Sequence, residues 1–232
     1  MSRGGVRVAV LGAGNAGHAV AADLALGGAD VVLYDLPEFE GALAAARERG
    51  GIEQTGIGRT GFAPVTVTTD IGEALDGAAV VFVATQAIAH ERLAGLCAPH
   101  LRDGQALVVF TGYGGSLLFR GALRQLGRGT GVLIGETPTL PYLCRLTGPA
   151  RVNLHGKPYK TSLLAATPAR DTPELVARVR PLYPITQPAE SVWACVLLNS
   201  NVTRHTVGTL LNIGRIEYAK GEFWLYREAF TP

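Results

Sequence analysis

The chain has 232 residues, of which 47% are hydrophobic and 17% charged, with a formal net charge of +2. That is enough apolar material for one large buried core and part of a second domain. It excludes a disordered acidic or basic tail, and it lacks the block of positive charge that nucleic acid or an acidic membrane surface selects.

The first apolar run, Val6–Leu11, reads as a buried strand and meets Gly12-Ala-Gly14-Asn15-Ala16-Gly17. An alanine-rich helical stretch and a second apolar run follow, ending at Asp35. Strand, glycine turn, helix, strand and acid in this order make a dinucleotide site. Gly12 serves the tight turn, Gly14 the close approach of backbone to pyrophosphate, and Gly17 the contact of helix with sheet. Asn15 and Ala16 lie at the helix N-terminus, whose free N–H groups and partial positive charge face the phosphates. Asp35 is placed to accept hydrogen bonds from ribose hydroxyls. A carboxylate there repels a 2′-phosphate, and no Lys or Arg follows until Arg47, which favours NAD over NADP.

Pro37 and Glu38 open a helical stretch that ends at Gly50-Gly51. The glycine-rich segment from Ile52 to Pro64 reads as a hairpin or loop at the sheet edge, and Pro64–Thr69 as a short strand. Asp70 caps a helix around Ile71–Leu75. Ala79–Ala84 is a continuous apolar run, as in a strand covered on both faces. Ligands of open parallel sheets sit beyond the carboxyl ends of strands, so Thr85 and Gln86 either line the nicotinamide side or merely cap the next helix. Gln105–Phe110 is another strand, and Thr111–Gly115 a second glycine turn where backbone can approach a ligand. Ser116–Leu126 is helical and Val132–Gly135 a strand leading to Glu136. The two prolines of Thr137–Arg145 exclude a regular helix throughout. Val152–Leu154 and Thr161–Ala166 read as strands, and a helix from Thr172 runs to about Tyr183. The prolines at 184 and 188 mark a domain junction, dividing the chain into 1–186 and 187–232. From Val192 a helical pattern runs on with a break expected near Gly208 or Gly214.

Cys97, Cys144 and Cys195 are odd in number and far apart, with no CxxC and no histidine at ligand spacing. They read as buried thiols in a reducing compartment, with no metal site. MSRGGVRVAVLG runs straight into the first strand, leaving no room for a signal peptide, and no apolar run reaches the ~20 residues that cross a bilayer. A cytoplasmic enzyme without nucleic-acid or membrane partners is the expectation.

In the last segment Asn201 and His205 are four apart and share a helix face, with Asn212 seven residues on. Histidine can donate and accept a proton near neutral pH, as carbonyl or imine reduction requires. An exposed or hydrogen-bonded helix histidine with no chemical role satisfies the spacing equally well.

ETPTLPYLCR at 136–145, TGYGGSLLF at 111–119 and NSNVTRHTVGTLLNIGRIE at 199–217, together with GAGNAG, resemble the opine dehydrogenases, the octopine/nopaline dehydrogenase family. The resemblance runs through the whole chain in order. It implies a Rossmann-type doubly wound parallel sheet followed by the first helices of an all-α domain, incomplete in this sequence. It also implies an NAD(P)H-dependent reductive condensation of an amino acid with a 2-oxo acid to a secondary amine. His205 is then the proton donor and acceptor, with Asn201 beside it. Arg145, with Tyr142 and Asn212, would contribute to substrate binding, although Arg145 could equally pair with Glu136 or another surface acid. Family members often have proline after this histidine, where Thr206 stands here. Their second domain carries an aspartate paired with the histidine, and none of Glu217, Glu222 and Glu228 matches it, so this reads as a fragment whose own turnover is doubtful. Two alternatives stand beside this reading. One is a dehydrogenase of a 2-hydroxy acid or polyol phosphate, and the other a catalytically silent dinucleotide-binding module. A homodimer or a partner chain would cover residues 192–226.

Overall fold

A computed structural model describes residues 5–128, 131–156 and 162–230. The chain divides into two compact units, Met1–Val196 and Leu197–Pro232.

The first unit begins with β1 (Arg7–Leu11), α1 (Asn15–Leu26) and β2 (Asp30–Tyr34), then α2 (Glu40–Arg49). The segment expected as an edge hairpin forms β3 (Gly51–Gly56) and β4 (Gly61–Pro64). After it come β5 (Thr66–Thr68), α3 (Ile71–Leu75), β6 (Val80–Val83), α4 (His90–Cys97), β7 (Ala106–Val109) and α5 (Gly115–Gln125). The unit continues with β8 (Leu133–Glu136), β9 (Leu143–Gly148), β10 (Arg151–Gly156), β11 (Ser162–Ala166), α6 (Thr172–Val179), β12 (Thr186–Pro188) and α7 (Val192–Leu197). Thr161, expected in the strand before α6, lies outside the described residues. The Asp70 cap expected for α3 forms, its carboxylate accepting from Glu73 N at 2.9 Å. Helix α6 ends four residues earlier than its periodicity suggests, because Pro181 has no N–H to donate to the carbonyl four residues back.

Among the described residues the strands form two sheets. The larger runs β12-β11-β8-β7-β6-β1-β2-β5. From β8 to β5 its neighbours are parallel, while β11 returns antiparallel to β8, so the doubly wound sheet is mixed at that side. Neighbouring residues in β1, β6 and β7 belong to cores on opposite faces. Val8, Val10, Phe82 and Val108 pack on one, Ala9, Leu11, Val83 and Val109 on the other. This two-sided burial is why these strands read as unbroken apolar runs. Helices α3, α4 and α5 cover the second face through Leu75, Leu93 and Phe119.

The smaller sheet, β4-β3-β10-β9, differs from the expected single sheet. Its central pair is parallel, with Arg151 opposite Glu53 and Leu154 opposite Gly56. Helix α1 packs against β2 on one side and β3, β4, β9 and β10 on the other. Every residue from Gly17 to Leu24 is buried as a result. An alanine-rich helix suits this position between layers, since small side chains allow backbones to approach on all sides.

Thr186–Pro188, where a domain junction was expected, is a strand hydrogen-bonded to β11, and the compact unit extends to Val196. Val192 and Cys195 of α7 pack on Ala165. The second unit holds α8 (Ser200–Leu210), α9 (Ile213–Tyr218) and α10 (Leu225–Glu228). Its helices break at Asn199 and, between Gly208 and Gly214 as expected, at Leu211-Asn212. Gly208 lies inside α8, where a β-carbon would meet Phe230 Cζ at 3.0 Å and Leu225 Cδ1 at 3.1 Å. No helix among the described residues is long and apolar enough to cross a membrane.

Candidate functional site

The chain passes from β1 to β2 and β5 on one side of the large sheet, then returns to β6 on the other side of β1. Such a reversal opens a crevice beyond the carboxyl ends of the two strands. Gly12–Gly17 lies at the end of β1, and Thr85 at the end of β6. Gly12 has φ +107°, and a β-carbon there would stand 2.6 Å from Thr85 Cγ2. At Gly17 it would stand 1.6 Å from Gly12 O. Gly14 is different, with φ −78° and open space within 4 Å of an added β-carbon. The freedom at Gly14 leaves room above the turn, and no side chain caps the N-terminus of α1. Backbone donors and open space therefore stand together at the N-terminus of α1, as in an anion site.

Neighbouring side chains fasten this turn. Asp35 Oδ2 accepts from Ala13 N at 2.7 Å and Oδ1 from Leu36 N at 2.8 Å. The acid thus clamps the glycine turn to the end of β2, and each carboxylate oxygen retains a second lone pair for a ribose hydroxyl. Asn15 Oδ1 accepts from Leu146 N of β9 at 2.7 Å, tying the start of α1 to the small sheet. His18, buried one turn on, contacts Gly14 O through Nδ1 at 3.2 Å. A carbonyl only accepts, so Nδ1 carries the proton. Burial holds this imidazole below the ordinary histidine pKa and keeps it neutral.

Beyond β6 and β7, Thr85 Oγ1, Thr111 Oγ1 and His90 Nε2 are buried without a hydrogen-bond partner. Orphaned polar atoms are costly in a finished core, and two of these three are hydroxyls at strand ends. Gln86 is exposed and its side chain makes no cap hydrogen bond. Thr111 and Tyr113 hold positive φ, +53° and +51°, a conformation uncommon for such residues and concentrated at functional turns. Sequence reading marks the glycines of this turn but not His90 or the two strained residues, since neither burial nor dihedral leaves a trace in the residue pattern.

Glu136 at the end of β8 is fully buried and accepts from Gly114 N at 2.9 Å, Ser116 N at 3.0 Å and Ser116 Oγ at 2.6 Å. It anchors the N-terminus of α5 rather than pairing with Arg145, which is exposed on β9. Glu136→Gln is expected to lower the free energy of unfolding by about 2–3 kcal/mol in urea titration, because the new amide nitrogen faces a backbone donor instead of accepting from it.

The remaining expected substrate residues have other partners. Tyr142 is buried and donates to Asp23 Oδ2 at 2.5 Å, and Arg59 binds the same oxygen at 3.0 Å. Asn201 is half-buried and His205 exposed, one turn apart on α8, with Asn199 Oδ1 accepting from Asn201 N at 3.0 Å. Asn212 does not continue their face. The helix has ended by then, and Asn212 is buried at the junction, donating to Gly208 O at 2.9 Å and accepting from Arg215 at 2.8 Å. Cys97 and Cys195 are buried and Cys144 half-buried, all free. Burial raises all three thiols, Cys144 to about 11 and the others to about 12, so they are inert near neutral pH. Among the described residues no group of His, Cys, Asp and Glu could hold a metal.

Residues 7–111 match the family described as NADP oxidoreductase coenzyme F420-dependent. The sequence is 35% identical over 227 residues to the opine dehydrogenase of Arthrobacter sp. (strain 1C), covering 97% of this chain and 62% of that one. Octopine dehydrogenase with NADH and L-arginine superposes with TM-score 0.72 at 20% identity, over 94% of this chain and 56% of its own. Yersinopine dehydrogenase gives 0.73 at 16%, over 96% and 57%. These structures share the α/β fold with its C-terminal helices, and the chain spans about three fifths of the length of the relatives it matches.

Proposed function

We propose that the chain belongs to the opine dehydrogenases and carries the dinucleotide-binding and proton-transfer parts of an NAD(P)H-dependent oxidoreductase acting on CH–NH bonds. The 35% identity to an opine dehydrogenase over 97% of the chain is the observation that carries this reading. Octopine dehydrogenase is described with NADH, with L-arginine and with pyruvate, and yersinopine dehydrogenase with NADP+. In this reading the substrates are an amino acid and a 2-oxo acid, and the cofactor is NAD(H).

Gly12, Gly14, Asn15, Ala16 and Gly17 would hold the pyrophosphate, Asp35 the adenosine ribose, and Thr85 with Gln86 the nicotinamide side. When bound, the dinucleotide supplies the hydride. The chain's own task is to hold it against the sheet, exclude water from the ring and deliver a proton to the nitrogen while the hydride goes to the carbon. His205 takes the last role, with Asn201 orienting it. The amino group and the 2-oxo acid lose water to form an imine, and one hydride plus one proton convert this to the secondary amine.

The test supplies NADH, pyruvate and a panel of amino acids including L-arginine. The expected result is NADH oxidation that requires both substrates, with a product whose mass is their sum less water plus two hydrogens. Oxidation by the 2-oxo acid alone, yielding a 2-hydroxy acid, would replace this reading with that of a 2-hydroxy acid dehydrogenase.

A further inference from the structure

Beside the glycine turn lies a pair of charges that the proposed chemistry does not use. Asp35 at the end of β2 is followed by Leu36 and a tight turn, Pro37–Phe39, closed by Phe39 N donating to Leu36 O at 2.8 Å. The turn presents Glu38 three residues after the ribose acid, and proline at its first position stiffens it. Arg92 reaches the same place from the first turns of α4, the helix that follows β6. Its two terminal nitrogens engage both Glu38 oxygens, Nη1 on Oε1 and Nη2 on Oε2, the latter at 3.2 Å. This is the forked geometry that guanidinium forms with carboxylate, and equally with phosphate.

Asp35, Glu38 and Arg92 all act on one buried group. Burial pushes the Tyr34 phenol up to about 12, with Asp35 and Glu38 adding to the rise and Arg92 opposing it. These three charges stand around the end of β2, and the guanidinium is already engaged by Glu38. The next cation along the chain, Arg47, is occupied by Glu40 at 2.8 Å.

Resting on the dinucleotide-binding reading above, we propose that the Glu38–Arg92 pair sets the choice between NADH and NADPH. Glu38 occupies the Arg92 fork, so a 2′-phosphate meets negative charge without a partner. A ribose 2′-hydroxyl, which only needs an acceptor, is unaffected. Removing the Glu38 charge would free Arg92 to take the phosphate in the same two-point geometry.

The experiment measures dissociation constants of NADH and NADPH by fluorescence titration at one fixed, low ionic strength, since exposed charges are screened by salt. It uses the wild-type chain, Glu38→Gln, Arg92→Ala and the double variant. All these positions are exposed at the surface, and melting temperatures are read alongside to verify folding. The wild type is expected to prefer NADH. Glu38→Gln is expected to tighten NADPH by about tenfold or more, the scale of a gained hydrogen bond between charged groups, and to change NADH by less than about threefold. The double variant is expected to lose the gain. An unchanged preference in Glu38→Gln overturns the inference, as does a gain that survives removal of Arg92. A wild-type chain that binds neither dinucleotide overturns the reading beneath it as well.

Discussion

His205→Ala is expected to reduce turnover by about 10²–10⁴-fold, the range spanned by loss of a positioned general acid–base group, while the dissociation constant for NADH stays within about twofold. The substitution suits this assay because the position is exposed on α8, where alanine is a better helix former than histidine. The thermal melt separates loss of the imidazole's chemistry from any loss of structure. Steady-state rates with a productive amino acid and 2-oxo acid, a titration with NADH and a thermal melt together make the check. Turnover at the wild-type rate would remove the proton-transfer role from His205 and leave it an exposed helix residue.

Gly17→Ala should have the largest effect on the first unit. The new methyl group would sit 1.6 Å from Gly12 O, far inside any allowed contact. In most helices a small outward shift would relieve this clash. Here α1 is held between the two sheets, and its outer side is packed on β3, β4, β9 and β10. The expected cost is about 3 kcal/mol or more of stability, accompanied by loss of NADH binding by at least about 100-fold as the turn is displaced. Gly14→Ala is the companion measurement. Its backbone is ordinary and a β-carbon meets nothing within 4 Å. Its melting temperature should stay near that of the wild type while NADH affinity falls, because the methyl group enters the space above the turn. If Gly14→Ala binds NADH as tightly as wild type, the pyrophosphate does not lie there.

The contrast between those two glycines shows what a residue pattern can and cannot convey. The apolar runs of β1, β2, β6 and β7, the GAGNAG spacing and the Asp70 cap are local features, and each forms where the sequence places it. The hairpin at 51–64 is legible as a hairpin, but its partner is not. β3 pairs with β10 about a hundred residues away, and β10 reads only as one more short apolar strand. In the second unit the break falls near the glycines that suggest it, but Gly208 itself serves close packing, and the residues at the breaks are asparagines whose side chains bond to nearby backbone. Asn212 falls off the face of Asn201 and His205 because their helix ends at Leu210. Tyr142 and Arg145 share one motif but part company in space, one buried on Asp23 and the other exposed. The hydroxyl groups of Thr85 and Thr111 become conspicuous only once burial reveals that neither has a partner.

The pairing of β3 with β10 also bears on how the molecule is made. The glycine turn, α1 and the β3–β4 hairpin are synthesised within the first 64 residues, but β9 and β10, which complete the sheet outside α1, begin at Leu143. A ribosome adding about 5–20 residues per second needs several seconds to reach them. Through that interval the free edge of β3 is exposed to other chains, the situation in which strands recruit unwanted partners. Asn15 meanwhile lacks Leu146 N. The motif that is read first along the chain therefore acquires its final support among the last, and a dinucleotide present during synthesis would find its cradle shaped only after β9 and β10 have docked.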